Sequence, residues 1–410
     1  MSRMTNKSLV SYSLLAFCLS FIGLPIYIYL PNYYANNFGI SLQSMAFILL
    51  ATRLVDTIQD PIFGVVSDHF SHLKKKIVCY LSPFLGLAFL LLFYPLDSFD
   101  VEIWLVVFLI LTYSLFSLIY INYQSMAVSF SDDYHEKTRI ISYREFGFIF
   151  GIIFAASAPA ILFEYFGEIK SFLLIGIVYL FLIIVFAVIF YYFAPANNYQ
   201  EKSKSPPFWI LFKNSLLRKY FIVFFLNAMS SAIPAVLILF FVEEVIGRKN
   251  LAGMFLLLYF VGLLFGVVLW TKLSKILNDK VKTFTISILS TVFVFVWCYF
   301  LGQGDVLFYG LICIFAGIGF GGDFALSYSI LTDLIQKYKL QDSESAIFGV
   351  TNFLIKISLT LSSALLIYFI GALEGQEDVK KEFISFSYAV LPILFRIAAA
   401  TFLYNNFKKL

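Results

Sequence analysis

Apolar runs long enough to cross a hydrocarbon core of about 30 Å as helices of about 20 residues recur along this chain. They lie near 8–31, 43–67, 77–96, 102–128, 143–165 and 171–194, and again near 218–245, 251–273, 282–302, 306–335, 344–371 and 384–405. Inside lipid an isolated segment satisfies its backbone hydrogen bonds only as a helix. The expected fold class is therefore an all-α membrane protein of twelve transmembrane helices. The polar stretch Ala196 to Pro207, with NNYQEKSKSPP at its heart, reads as an exposed linker between two sets of six runs. The expected halves are 1–194 and 218–410, joined by a linker at 195–217. With 61% hydrophobic and 13% charged residues, the chain lacks the charge to cover the surface of a soluble protein of this size.

Short loops rich in lysine and arginine stay in the cytoplasm. Arg3, Lys7, Lys74 to Lys76, Lys137, Arg139, Lys202, Lys204, Lys213, Lys272 to Lys282 and Lys408 all fall on one side, whereas the other side is mostly acidic, as at Asp97, Asp100, Glu102 and Glu377. Both termini are expected in the cytoplasm of a cell with this inner membrane, with the first apolar run retained rather than cleaved. The net charge of +4 is dispersed over short loops, which sets nucleic acid aside as a partner. Cys18, Cys79, Cys298 and Cys313 sit in apolar runs without metal-ligand spacing and read as reduced packing residues. The three histidines, His69, His72 and His135, fall in loops, and no nucleophile, histidine and carboxylate share a compartment, so an enzyme is not expected.

An ionisable side chain inside a membrane span costs at least ~2.5–3.5 kcal/mol and needs a partner or a watery cavity. The second run carries three, Arg53, Asp56 and Asp60, at spacings of three and four that put them on one helix face. Two carboxylates one turn apart offer hard oxygen ligands to a small cation or act as proton acceptors, while Arg53 keeps the empty site from being purely negative. A buried salt bridge that fixes packing is the competing reading. In the eleventh run Lys356 lies about 18 Å of helix rise from the start, too deep to snorkel readily. The tenth run holds Asp323 after Gly317, Gly319, Gly321 and Gly322; without a strand before it, this glycine string is helix packing rather than a phosphate loop. Asp323 is expected as a proton or solute ligand or as the counter-ion of Lys356, and Arg396 as a snorkelling or packing charge.

The segment RLVDTIQDPIFGVVSD resembles the signature of the glycoside-pentoside-hexuronide cation symporters, a family within the major facilitator superfamily. Leu15 to Ser41, the loop EKTRIISYR ending at Arg144, and Lys356 on helix eleven are similar to the same family. The resemblance implies a major facilitator fold and a cation site at Asp56 and Asp60, with Arg53, Lys356 and Asp323 coupled to it and Asp68 and Arg144 in gating. The family's sugar-binding carboxylates in helices one and four fall on Ser20 and Tyr120, and its helix-ten tryptophan on Phe324. In this architecture helices one, four, seven, ten and eleven supply the solute pocket, which places Ser20, Tyr27, Tyr120, Asn122, Tyr123, Gln124, Asn227, Phe324, Thr351 and Asn352 there. The implied protein is a symporter of a small polar solute, a sugar or glycoside, driven by Na+ or H+ in a bacterial inner membrane. It would need no cofactor and no metal beyond that ion, would meet anionic lipid through its basic loops, and would work as a monomer. The alternatives are a carrier of an amphipathic molecule such as a lysolipid or small organic acid, and a non-transporting receptor or enzyme.

Overall fold

Short polar residues between the apolar runs start the helices. Asp100, Asp133 and Asp279 each accept a backbone N–H three residues on, at 2.7–2.9 Å, and so cap the helices that follow. Ser41 caps the second span in the same way at 3.0 Å. The computed structural model describes residues 4–96, 98–131, 133–195, 208–373 and 375–408; the linker expected at Ala196 to Pro207 lies outside the described residues.

The first six helical spans are α1 (Asn6–Phe21) continued by α2 (Leu30–Phe38), α3 (Leu42–His69), α4 (Lys74–Leu92), α5 (Val101–Ser129), α6 (Tyr134–Phe166) and α7 (Glu168–Phe193). The others are α8 (Ser215–Phe240), α9 (Ala252–Leu277), α10 (Lys280–Val296), α11 (Val306–Gly322) continued by α12 (Tyr328–Lys337), α13 (Glu344–Ala372) and α14 (Glu377–Phe407). Among the described residues eleven helical segments are long and apolar enough to cross a membrane. The twelfth expected span, α3, has 28 residues and the necessary length, but Arg53, Asp56 and Asp60 lower its hydropathy. The residues that point to function are the same ones that hide this helix from a hydropathy count.

Three π turns, Pro25–Tyr29, Phe241–Val245 and Asp323–Ser327, interrupt the regular helix. Such turns widen the hydrogen-bond ladder and occur often at functional sites. Two of them carry residues singled out from the sequence, Tyr27 in the first and Asp323 with Phe324 in the third.

The chain divides into two compact units, Met1–Phe208 with Ile335–Val350, and Trp209–Leu334 with Thr351–Leu410. Within the first, α1 packs on α6 and α7, α3 on α5, and α4 on α5 and α7. Within the second, α9 packs on α11, α8 on α14, and α10 on α11 and α14. The second span of each set thus meets the fourth, and the third meets the sixth, the internal repetition expected of a transporter built from two related halves.

Residues 335–350, expected with the C-terminal half, go with the first unit. Polar contacts and close approach explain this. A Cβ on Gly349 would lie 2.5 Å from the carbonyl oxygen of Asp60, and one on Gly64 would lie 2.6 Å from that of Ser345. Only glycine lets these backbones meet. The glycine string of the tenth span also serves packing: a Cβ on Gly317 would fall 2.1 Å from the carbonyl oxygen of Tyr259, and one on Gly266 would fall 2.2 Å from that of Ile318. This seam joins α9 to α11.

Candidate functional site

The carboxylates of α3 are deeply buried, Asp56 at 2% exposure and Asp60 at 0%. Their helical spacing aims both at the interior, and α5 packs on that face. Ser117 of α5 donates its hydroxyl to Oδ1 of Asp56 at 3.0 Å, and the Gln59 amide approaches the same oxygen at 3.4 Å. Gln59 is itself held by Ser114, which donates to Oε1 at 2.9 Å. Arg53, one turn before Asp56, rests its guanidinium on the ring of Tyr27, 4.5 Å from the centroid. That contact desolvates one face of the cation and fixes its direction. The first unit therefore holds two buried carboxylates, a stacked arginine and a hydroxyl donor around one stretch of α3.

At the end of α3 Asp68 performs a task the sequence did not announce. Its Oδ1 accepts the Ser345 N–H at 2.7 Å and its Oδ2 the Ala346 N–H at 2.8 Å, so it caps the N-terminus of α13 from another helix. Lys74, read from sequence as a loop cation, is fully buried and donates to Oε1 of Glu344 at 2.6 Å while lying 3.7 Å from Asp68. Gln336, in the last turn of α12, donates to the carbonyls of Val128 and Ser131 at the end of α5. Arg144 is buried on α6 and pairs through Nε and Nη2 with its neighbour Glu145.

The expected solute residues of the first unit divide by what their polar atoms do. Ser20 donates to the Phe17 carbonyl at 3.0 Å and faces Gly151. Asn122 is buried and donates to Ser67 at 2.8 Å and to the Leu118 carbonyl at 2.8 Å. Tyr12 and Tyr123 exchange hydroxyl-to-carbonyl hydrogen bonds and bind α1 to α5. Gln124 is likewise buried. Tyr120 is half-buried beside Phe116 and Phe148, at centroid distances of 5.2 and 5.8 Å. Tyr27 is 45% exposed.

In the second unit the guanidinium of Arg396, on α14, grips both carboxylate oxygens of Asp323. The same guanidinium stacks on Phe320, 4.0 Å from the ring centroid. The side chain of Asn227, on α8, lies beside Asp323. Arg396 is 1% exposed, a packing charge rather than a snorkelling one; the acid that answers it comes from a span 73 residues away, and no local pattern reveals that. Thr351, Asn352 and Lys356 follow one another along α13, the first two buried and Lys356 half-buried. Phe324 is half-buried in its π turn. Sequence reasoning also missed Ser117 and Glu344, a serine among many and an acid at the start of a run; only the packing of α5 and α13 marks them.

The family model for MFS/sugar transport proteins matches residues 11–408. Among curated proteins none matches the chain significantly. Two solved structures of a bacterial homologue of the iron transporter ferroportin are similar in fold, one in the outward-facing state and one in that state with soaked iron. Each aligns at a TM-score of 0.75 and 15% identity; the first covers 99% of this chain and 100% of its own, the second 98% and 99%. At that identity the likeness concerns the fold alone. The chain belongs to the MFS/sugar transport protein family, which includes the glycoside-pentoside-hexuronide symporters, and is a multi-pass membrane transporter of the major facilitator fold rather than an enzyme.

Proposed function

We propose that the protein is a symporter that couples the movement of a small polar solute, a sugar or glycoside, to Na+ or H+ by alternating access. The observation that carries this reading is the pair Asp56 and Asp60, both buried, one turn apart on one face of α3. Two carboxylates so placed offer hard oxygen ligands to a small cation, or acceptors to a proton. Ser117 and Gln59 already orient Asp56, and Arg53 is drawn aside onto Tyr27. Asp68, capping α13 with Lys74 and Glu344 beside it, is the gate contact that the cycle makes and breaks. Lys356 and Arg144 add to coupling and gating. We further place the protein in a bacterial inner membrane as a monomer with both termini in the cytoplasm, needing no cofactor besides the coupling ion. Iron is named for the structural neighbour alone, and at 15% identity that likeness carries the fold and no cargo.

Thermal melting of the purified protein tests the cation site. Na+ or acidification is expected to raise the melting temperature of the wild type by several degrees, since a ligand at about 100 times its Kd adds about 2.7 kcal/mol. Asp56→Asn and Asp60→Asn are expected to lose that response. Equal indifference of all three proteins to Na+ and pH sinks the coupling reading.

An amphipathic cargo is the second reading. It is favoured by an apolar groove of about 690 Å³ in the second unit, walled by Trp270, Phe293, Trp297, Phe308 and Phe315. A lysolipid that stabilises the protein where sugars do not would select it.

A further inference from the structure

In the first unit Ser20 spends its hydroxyl on the Phe17 carbonyl and, like Tyr120, brings no carboxylate. A carboxylate does stand in the second unit. Asp323 sits in a π turn, 9% exposed, with Arg396 gripping both its oxygens from the deeper side at 1% exposure. An ionised carboxylate accepts at about four lone-pair positions. Arg396 takes one on each oxygen, so acceptor capacity remains. Beside it Oδ1 of Asn227, in a residue 8% exposed, has no hydrogen-bond partner among the described residues. Two adjoining acceptors on a rigid frame suit two neighbouring hydroxyl donors. The guanidinium also cancels the charge of Asp323, which removes the reason for a cation to stay there. Phe324, next in the turn and half-buried, supplies the apolar surface that a sugar ring's C–H face requires.

We propose that Asp323 and Asn227 bind vicinal hydroxyls of an uncharged sugar or polyol, and that Arg396 is the positioning residue that holds Asp323 in place. Solute recognition is thereby placed in the second unit, and Asp323 serves the solute rather than the coupling ion. This rests on the reading of the protein as a sugar symporter. It differs from that reading in the residues at stake, since the cation site is assigned to Asp56 and Asp60 of α3 and not to Asp323.

The test is thermal melting and equilibrium binding of the purified full chain against a panel of neutral monosaccharides and methyl glycosides, with glucuronate as the charged control. At least one neutral member is expected to stabilise the wild type by a few degrees. Asn227→Ala, which leaves the ion pair intact, is expected to weaken that sugar at least tenfold. Asp323→Asn alone strands a buried guanidinium and risks misfolding, so the double variant Asp323→Asn with Arg396→Gln removes both charges; it is expected to lose the sugar response and keep the Na+ response of the wild type. Arg396→Lys is expected to retain weakened sugar binding, as a positioning role allows and a purely structural one does not require. Full sugar binding in Asn227→Ala or in the double variant overturns the proposal, as does a panel in which only glucuronate, or nothing, binds. Loss of the Na+ response in the double variant overturns it too, by returning Asp323 to the cation. A sugar response that depends on Asp323 without any Na+ or pH response would leave this site standing and remove the coupling reading.

Discussion

Ser117 holds Asp56 with a single hydroxyl, and the physics of that contact sets its worth. A hydrogen bond to a charged group contributes about 1.5–3 kcal/mol, and the one at 3.0 Å from Ser117 orients an oxygen that we assign to the cation. Ser117→Ala is expected to weaken Na+ binding about tenfold with little loss of stability without Na+, as read by the Na+ dependence of the melting temperature; an unchanged midpoint means Asp56 is oriented by other groups. At this scale much of the site was legible in the sequence. A charge in an apolar run is conspicuous because it is costly, and Arg53, Asp56, Asp60, Asp323 and Lys356 all stand out that way. The partners were not legible. Serine, asparagine and glutamine are ordinary in membrane helices, so Ser117, Asn227 and Gln59 look no different from their neighbours until the packing names them.

Among the elements, the junction of α3 and α13 carries most consequence. Asp68 supplies two hydrogen bonds to the first amides of α13 and a negative charge to the positive end of that helix. Asp68→Asn keeps the size and loses the charge and one acceptor, so the cap should weaken by about 1–2 kcal/mol. A cysteine placed at Ser345 is expected to react faster with a water-soluble maleimide in that variant than in the parent; equal rates would mean the glycine contacts of Gly64 and Gly349 hold the junction unaided. The segment's allegiance could not be read from order along the chain. Residues 335–350 adjoin the eleventh span in sequence, and their place in the first unit depends on Lys74 and Glu344, 270 residues apart. The π turn at Asp323 was equally hidden, since DFALS has no proline and its glycines precede it.

For the whole molecule, orientation in the bilayer is an expectation from lysine and arginine placement. Single cysteines introduced at the exposed Lys76 and Lys275 should be shielded from an impermeant maleimide in intact cells and labelled after lysis, whereas one at Lys249 should label from outside; the reverse pattern inverts the topology. Lys74 and Lys280, though counted among the loop charges, are buried in pairs with Glu344 and Asp333. They hold helices together as well as orienting them, and so make poor labelling positions.

The sequence by itself determined that this chain lives in lipid, folds as helices in two sets of six, and buries charges at particular depths, because hydrophobic length and the cost of a buried charge are local properties of a segment. Only the tertiary structure decided which charge answers which: Arg396 to Asp323, Lys74 to Glu344, Asp68 to the first amides of α13. Those pairings are between groups far apart along the chain, and they form where helix packing brings a donor within about 3 Å of an acceptor, a geometry that spacing within one helix does not encode.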